Sequence, residues 1–203
     1  MNYYKKMIGE KTYLAPMNLE DLDKYAEWVN DLHVTLFTDL TDSVIEEEKE
    51  RELLQKLANN PQNRIMVIVS RETNAAIGFI GLHDINWMNR NAALGIMIGD
   101  KGQWNKGYGT EAMQLMLDFG FNVSSLHSVY LRTLSFNKRG MRCFEKCGFK
   151  QVGKSRDFKY VAGKYYNMIN FDILETEFTS IYFKDMAEKS MKEDKSLNKI
   201  SIM

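Results

Sequence analysis

Apolar positions along this chain change spacing repeatedly, and each change marks a passage between strand and helix. Runs dense in Val, Ile, Leu, Tyr and Phe at Lys11 to Pro16, Arg64 to Ser70, Ala76 to His83, Ala92 to Ile98 and Val129 to Leu134 read as strands. Two further strands are expected around Lys150 to Asp157 or a little later and around Tyr166 to Leu174, with a turn at Gly163 between them. Helical spacing fills the intervals. Asn18 caps a helix over Leu19 to Asn30 that puts Leu22, Tyr25, Ala26 and Val29 on one face. Ser43 caps a second, with Ile45, Leu53, Leu54 and Leu57 as its buried stripe, ending near Asn59-Asn60-Pro61, where proline cannot continue it. Thr110 to Phe121 turns Ala112, Leu115, Met116 and Phe119 inward, and Lys138 to Cys147 stops at Gly148.

Composition narrows the class. With 203 residues, 44% of them hydrophobic and 27% charged, the chain can bury one substantial core. We therefore expect a single domain over 1–183, followed by a charged C-terminal extension over 184–203 that is either a surface helix or a frayed tail. Lys+Arg 27 balances Asp+Glu 27, which gives no overall pull toward nucleic acid or an anionic membrane. No apolar run approaches the ~20 residues of a membrane span, and no apolar signal core follows Met1, so the chain reads as cytoplasmic. Cys143 and Cys147 stand four apart on one helix, and His33, His83 and His127 are scattered. No metal site is expected from them, only two half-buried thiols in a reducing compartment.

The most informative stretch is Trp104-Asn105-Lys106-Gly107-Tyr108-Gly109-Thr110-Glu111-Ala112, which joins the strand ending at Ile98 to an amphipathic helix. A glycine-bearing turn there aims backbone N–H groups and the positive end of the helix dipole at one spot, which suits a phosphate or pyrophosphate. A P-loop is excluded because Tyr108 stands where its lysine must be. The dinucleotide pattern G-x-G-x-x-G/A is met by Gly107 to Ala112. That fold, however, wants a short turn straight from the strand and an acid about twenty positions on, and positions 127 to 133 hold none.

Between Ala92 and Phe149 the chain resembles the GNAT superfamily of acetyl-CoA-dependent N-acetyltransferases, whose signature is [QR]-x-x-G-x-[GA] after an apolar strand. Gly107 and Gly109 fill the glycine positions, and Trp104 takes the place of the usual glutamine or arginine. A tryptophan there looks like the branch of ribosomal-protein alanine N-acetyltransferases and related small-amine enzymes. The run Asn137 to Phe149 is similar to a second motif of that family, N-x-x-S-x-x-x-[YF]-E-K-x-G-F. The resemblance implies an α/β (α+β) fold: a mixed, mostly antiparallel sheet that splays between its fourth and fifth strands, Ala92 to Ile98 and Val129 to Leu134, flanked by helices.

It also implies a set of roles. Acetyl-CoA would be the co-substrate, with no metal. Backbone groups of Met97 and Ile98 would hold the pantetheine arm and polarise the thioester. Trp104, Asn105, Lys106, Gly107, Tyr108, Gly109 and Thr110 would cradle the pyrophosphate, and Asn137, Met141, Phe144 and Lys146, with Arg142, would line the slot from the following helix. Asn137 is equally a cap for that helix. Two departures bear on catalysis. Phe144 stands where many relatives have a tyrosine that protonates the leaving thiolate, and Ala93 where many have a glutamate base. The remaining candidates for proton removal are His83, Asp84 and Asp100, and Tyr166 for proton delivery. Ala15 replaces a common arginine, without a consequence we can name.

The acceptor pocket would lie between Leu32 to Asp42 and Phe158 to Tyr166. These segments hold Phe37, Phe158, Tyr160, Tyr165 and Tyr166, with only Asp39, Asp42 and Asp157 as nearby acids. The aromatics suit either a pocket wall or the contacts of a homodimer. Two functions follow: an acetyltransferase acting on a protein N-terminus, polyamine or other small amine by direct transfer, or a CoA-binding regulatory protein that keeps the fold with little catalysis.

Overall fold

The computed structural model describes residues 3–38 and 40–200, with 193–200 described by backbone alone. Its strands are β1 Met7–Ile8, β2 Thr12–Ala15, β3 Arg64–Ser70, β4 Ala76–Asn86, β5 Asn91–Ile98, β6 Ser128–Leu134, β7 Lys150–Val161 and β8 Lys164–Leu174. They form one sheet in the order β1-β2-β3-β4-β5-β6-β8-β7, antiparallel except for the β5–β6 pair. The helices are α1 Leu22–Asn30, α2 Leu32–Thr35, α3 Glu47–Asn59, α4 Tyr108–Asp118, α5 Lys138–Lys146 and α6 Phe183–Ile200.

Alternation along the strands separates two cores. Leu14, Ile68, Ile80 and Leu82 point to one face, where α4 lays Ala112, Met113, Leu115 and Met116 across the sheet. Tyr13, Val67, Val69 and Phe79 point to the other, against Leu22, Tyr25 and Trp28 of α1 and Leu54 of α3. The mixed, open sheet expected from the sequence is present. Because β1 adds a strand too short to show in the pattern, the expected fourth and fifth strands are β5 and β6.

Several local expectations change. The first helix starts as a 3-10 turn over Leu19–Asp21, with Asn18 Oδ1 accepting from Glu20 N at 3.1 Å, and it buries Trp28 where Ala26 was expected. Ser43 caps nothing: α3 begins at Glu47, and its buried positions are Glu50 and Leu54, with Leu53 38% exposed. The last hairpin is longer than expected, because β7 runs through Phe158 and Tyr160 to Val161. Asp118, buried at the end of α4, accepts from the Ser180 hydroxyl and from the N–H groups of Ile181, Tyr182 and Phe183, anchoring the start of α6.

Candidate active site

The sheet opens where the resemblance requires. β5 and β6 pair only through Asn91 to Ala93 against Ser128 to Tyr130, and beyond these residues the two strands diverge. Gly99 N donates to Ile77 O at 2.9 Å, which fixes the alternation of the β4–β5 ladder. Met97 therefore turns its main-chain polar groups toward Phe79 on β4, while Ile96 and Ile98 turn theirs into the slot. Of the expected pair, only Ile98 turns its main chain into the slot; Ile96 does so in place of Met97, which lines the slot with its side chain. The Ile98 carbonyl is already used, accepting from Trp104 Nε1 at 2.8 Å.

At the mouth of the slot the loop takes two left-handed residues, Asn105 at φ 62° and Gly107 at φ 90°, before α4 begins. Its first-turn N–H groups face a cavity of about 420 Å³ lined by Ile98, Trp104, Asn105, Gly107, Tyr108, Gly109, Thr110, Arg139, Arg142 and Lys146, among others. Glu111 does different work. Its carboxylate accepts from the N–H groups of Glu10, Lys11 and Thr12 and from the Thr12 hydroxyl, tying α4 to the β1–β2 hairpin. Lys106, expected in the cradle, does not line the cavity and has its ammonium on Gln103; Met141, expected along the slot, does not line it either and packs against the core.

Arg139, which the sequence reading passed over, stacks its guanidinium 3.8 Å above the Trp104 ring and 5.3 Å from Phe37. Three cationic side chains and a helix N-terminus around one cavity suit a pyrophosphate. The positions of Gly107 and Gly109 let it approach the backbone, so these residues fit CoA. Cys143 also lines this wall, with its sulfur 3.3 Å from Thr110 Oγ1. Hydrogen bonding with Cys147, then with Thr110, and the charge of Lys146 bring its thiol down to about 7 against the effect of burial. Cys147, deeper and facing the Thr110 carbonyl, is pushed up.

A second cavity, of about 890 Å³, meets the first along Ile96, Met97, Asn137 and Phe144. His83 and Asp84 lie in its wall, and His83 is the direct cross-strand partner of Ala93. Glycines clear space for the imidazole: a Cβ on Gly81 or Gly95 would stand 3.2 Å from Nε2. Burial holds the His83 pKa below its usual value, with Asp84 opposing, so the ring is neutral at pH 7. Asn137 has its amide engaged at both ends. Oδ1 accepts from Gly140 N at 3.0 Å as the α5 cap, and Nδ2 donates to Thr133 Oγ1 at 2.9 Å. Phe144 sits edge-on to Phe149 and Phe171.

Other expected members are elsewhere. Asp100 caps the Lys101–Gln103 turn through Gly102 N and lines neither cavity. Tyr166 packs edge-on to Phe136, also outside both. Asp157, Phe158, Tyr160 and Tyr165 are exposed on the β7–β8 hairpin, and Asp42 is exposed in the segment before α3; of the expected aromatic wall only Phe37 lines the cavities. Asp39 lies outside the described residues. Besides Asp84, two acids outside the expected set line the larger cavity, Asp172 and the buried Glu50. Glu50 is the one the sequence pattern marks. Its position four residues before Leu54 and seven before Leu57 put it in the apolar stripe, a signal the sequence carried.

A family model described as an acetyltransferase (GNAT) domain matches residues 11–150. The chain belongs to the GNAT acetyltransferase family. This GNAT enzyme is 27% identical over 176 residues to an uncharacterized N-acetyltransferase, p20, of Bacillus licheniformis, an alignment covering 85% of this chain and 97% of the relative. It is 28% identical over 127 residues to a spermidine N(1)-acetyltransferase of Vibrio cholerae, covering 63% of this chain and 72% of that one. Among solved structures, the spermidine N-acetyltransferase of Vibrio cholerae in complex with CoA and spermine matches with a TM-score of 0.75 at 22% identity, over 83% of this chain and 98% of that one, a likeness of fold.

Proposed function

We propose that this GNAT enzyme moves the acetyl group of acetyl-CoA to a primary amine, a small amine or a peptide N-terminus, by direct attack in a ternary complex. The observation that carries the reading is the junction of the two cavities at Ile96, Met97, Asn137 and Phe144: a cationic cradle opens on one side and a larger chamber with a neutral histidine on the other. The amine nitrogen forms its bond to the thioester carbon as the C–S bond breaks. The slot-facing N–H groups of Ile96 and Ile98 stabilise the developing oxyanion. His83 accepts the proton shed by the amine, from the strand position opposite the one where relatives carry a carboxylate. Phe144 offers no proton, so the thiolate leaves as such and is protonated by solvent. Asn137 holds the β6–α5 turn at the junction through its cap.

The spermidine acetyltransferases among its relatives support an amine acceptor. Thiol release from acetyl-CoA, followed over peptides, polyamines and aminoglycosides with mass spectrometry of the acceptor, tests the reading. CoA binding without turnover on any amine would replace it with the regulatory reading, which Phe144 and Ala93 favour.

A further inference from the structure

Glu50 is an unusual use of a carboxylate. It is 1% exposed, its Oε2 is buried with no hydrogen-bond partner among the described residues, and it lines the larger cavity. The ion pairs of its own helix run elsewhere: Lys49 reaches Glu46, and Arg51 reaches Glu47 and Glu48 on the exposed side. Around it the cavity wall is hydrocarbon, from Val29, Leu53, Leu54, Leu57 and Phe79. Burial accordingly favours its protonated form. An unpaired carboxyl oxygen in such surroundings is destabilising, and a cationic partner entering the cavity would relieve it.

The geometry points to Glu50 as the residue that selects the acceptor: it takes a second cationic group, an ammonium or guanidinium, of a molecule whose reacting amine lies at the His83 end and whose apolar spacer runs along the leucine wall. This rests on the proposed amine acetylation at the same site. A cavity of about 890 Å³ has room for such a spacer as well as the reacting group. Asp84 and Asp172 also line this cavity, but Glu50 is the carboxylate set among the α1 and α3 hydrocarbon side chains; that end rejects neutral polar acceptors, which would leave the acid unpaired, and accepts a diamine, whose second charge pairs with it. Glu50 is thus a specificity residue and not the proton acceptor.

The test compares putrescine with n-butylamine, equal in chain length and different in the second charge, on the parent, Glu50→Gln and Glu50→Leu. Circular dichroism first establishes that the variants are folded. Both remove the ionisable carboxyl without emptying the site, and Glu50→Gln keeps the shape. In the parent, putrescine is expected to have the lower KM. Each variant is expected to raise the putrescine KM by ~10- to 100-fold, the loss of one charge-assisted contact, while leaving kcat and the n-butylamine KM within about twofold. Equal KM values for the two amines in the parent, or a variant that lowers kcat equally for both, overturns the assignment; the second result would make Glu50 the base.

Calorimetric titration of putrescine into the protein without acetyl-CoA separates this inference from the function on which it rests. Binding that Glu50→Gln abolishes, in a protein that acetylates neither amine, keeps Glu50 as a cation site and discards the transferase reading. Turnover of putrescine that is indifferent to both substitutions keeps the transferase and discards the role of Glu50.

Discussion

Gly109→Val isolates the cradle from the fold. Gly109 lies in the first turn of α4 and is not among the residues with a left-handed backbone, so a side chain is not strained there. A Cβ would stand 3.7 Å from Ile98 Cγ1, 3.9 Å from Cys143 Sγ and 3.9 Å from Ile96 Cδ1, all ordinary contact distances. Alanine is therefore accommodated, and its better helix propensity adds up to about 1 kcal/mol of stability. Valine is different. Its two γ carbons extend beyond a Cβ that already touches three walls, and the free space next to Gly109 is the cavity itself. A branched side chain there keeps an anion away from the α4 N–H groups. Losing one such charge-assisted bond is worth roughly 1.5–3 kcal/mol, or about 10- to 100-fold in Kd for CoA. Isothermal calorimetry with CoA, run beside thermal melts, reads both quantities. Gly109→Val is expected to melt within a few degrees of the parent and to bind CoA at least tenfold more weakly, with Gly109→Ala near the parent in both. A folded Gly109→Val protein with unchanged CoA affinity would refute the cradle.

Three further outcomes are expected. His83→Ala should lower kcat/KM most below the pKa of the acceptor amine, with the loss shrinking as pH rises and free amine becomes abundant. Because burial lowers the His83 pKa, the acid limb of the parent profile should fall below the ordinary imidazole value of ~6.5, and a pH-independent loss would remove His83 from the mechanism. Iodoacetamide should label Cys143 with a rate that rises through a midpoint near 7 as the thiolate forms, leave the more deeply buried Cys147 unmodified, and slow when CoA fills the cavity; peptide mapping after labelling decides it. Asp118→Ala strips the acceptor from three N–H groups and a hydroxyl at the start of α6. It should cost on the order of 2–4 kcal/mol in a thermal melt and expose the 180–184 segment to limited proteolysis, and an unchanged digestion pattern would count against the anchor.

Most of the frame was legible because it is written in local signals. The strands from Arg64 to Ile98 are dense apolar runs bounded by turn residues, and the Gly107–Gly109 turn announces the start of α4. What escaped depends on side chains that defy their local role. Glu50 reads as one more charge in an acidic helix, and only its register with Leu54 and Leu57 shows that it is buried. Trp28 displaced Ala26 because the larger ring fills the space against Phe79, at 5.5 Å between centroids. Asp100 is a candidate for chemistry by its place at a strand end and Tyr166 by its hydroxyl, whereas a turn and an aromatic stack hold them. The Met97 and Ile98 pair was misassigned by one position, since main-chain direction alternates with every residue and the ladder that fixes it is a long-range contact.

The stack of Arg139 on Trp104 bears on how a charge is kept ready for use. An arginine fixed by a carboxylate is held still at the expense of its field and several of its donors. Here ring faces hold the guanidinium, and no hydrogen bond or ion pair among the described residues engages it. The tryptophan that displaces the customary glutamine or arginine from the loop thus provides a hydrocarbon seat for a cation arriving from α5, on the far side of the slot. The positive charge stays beside the cradle with its planar fork unspent, oriented before any anion arrives.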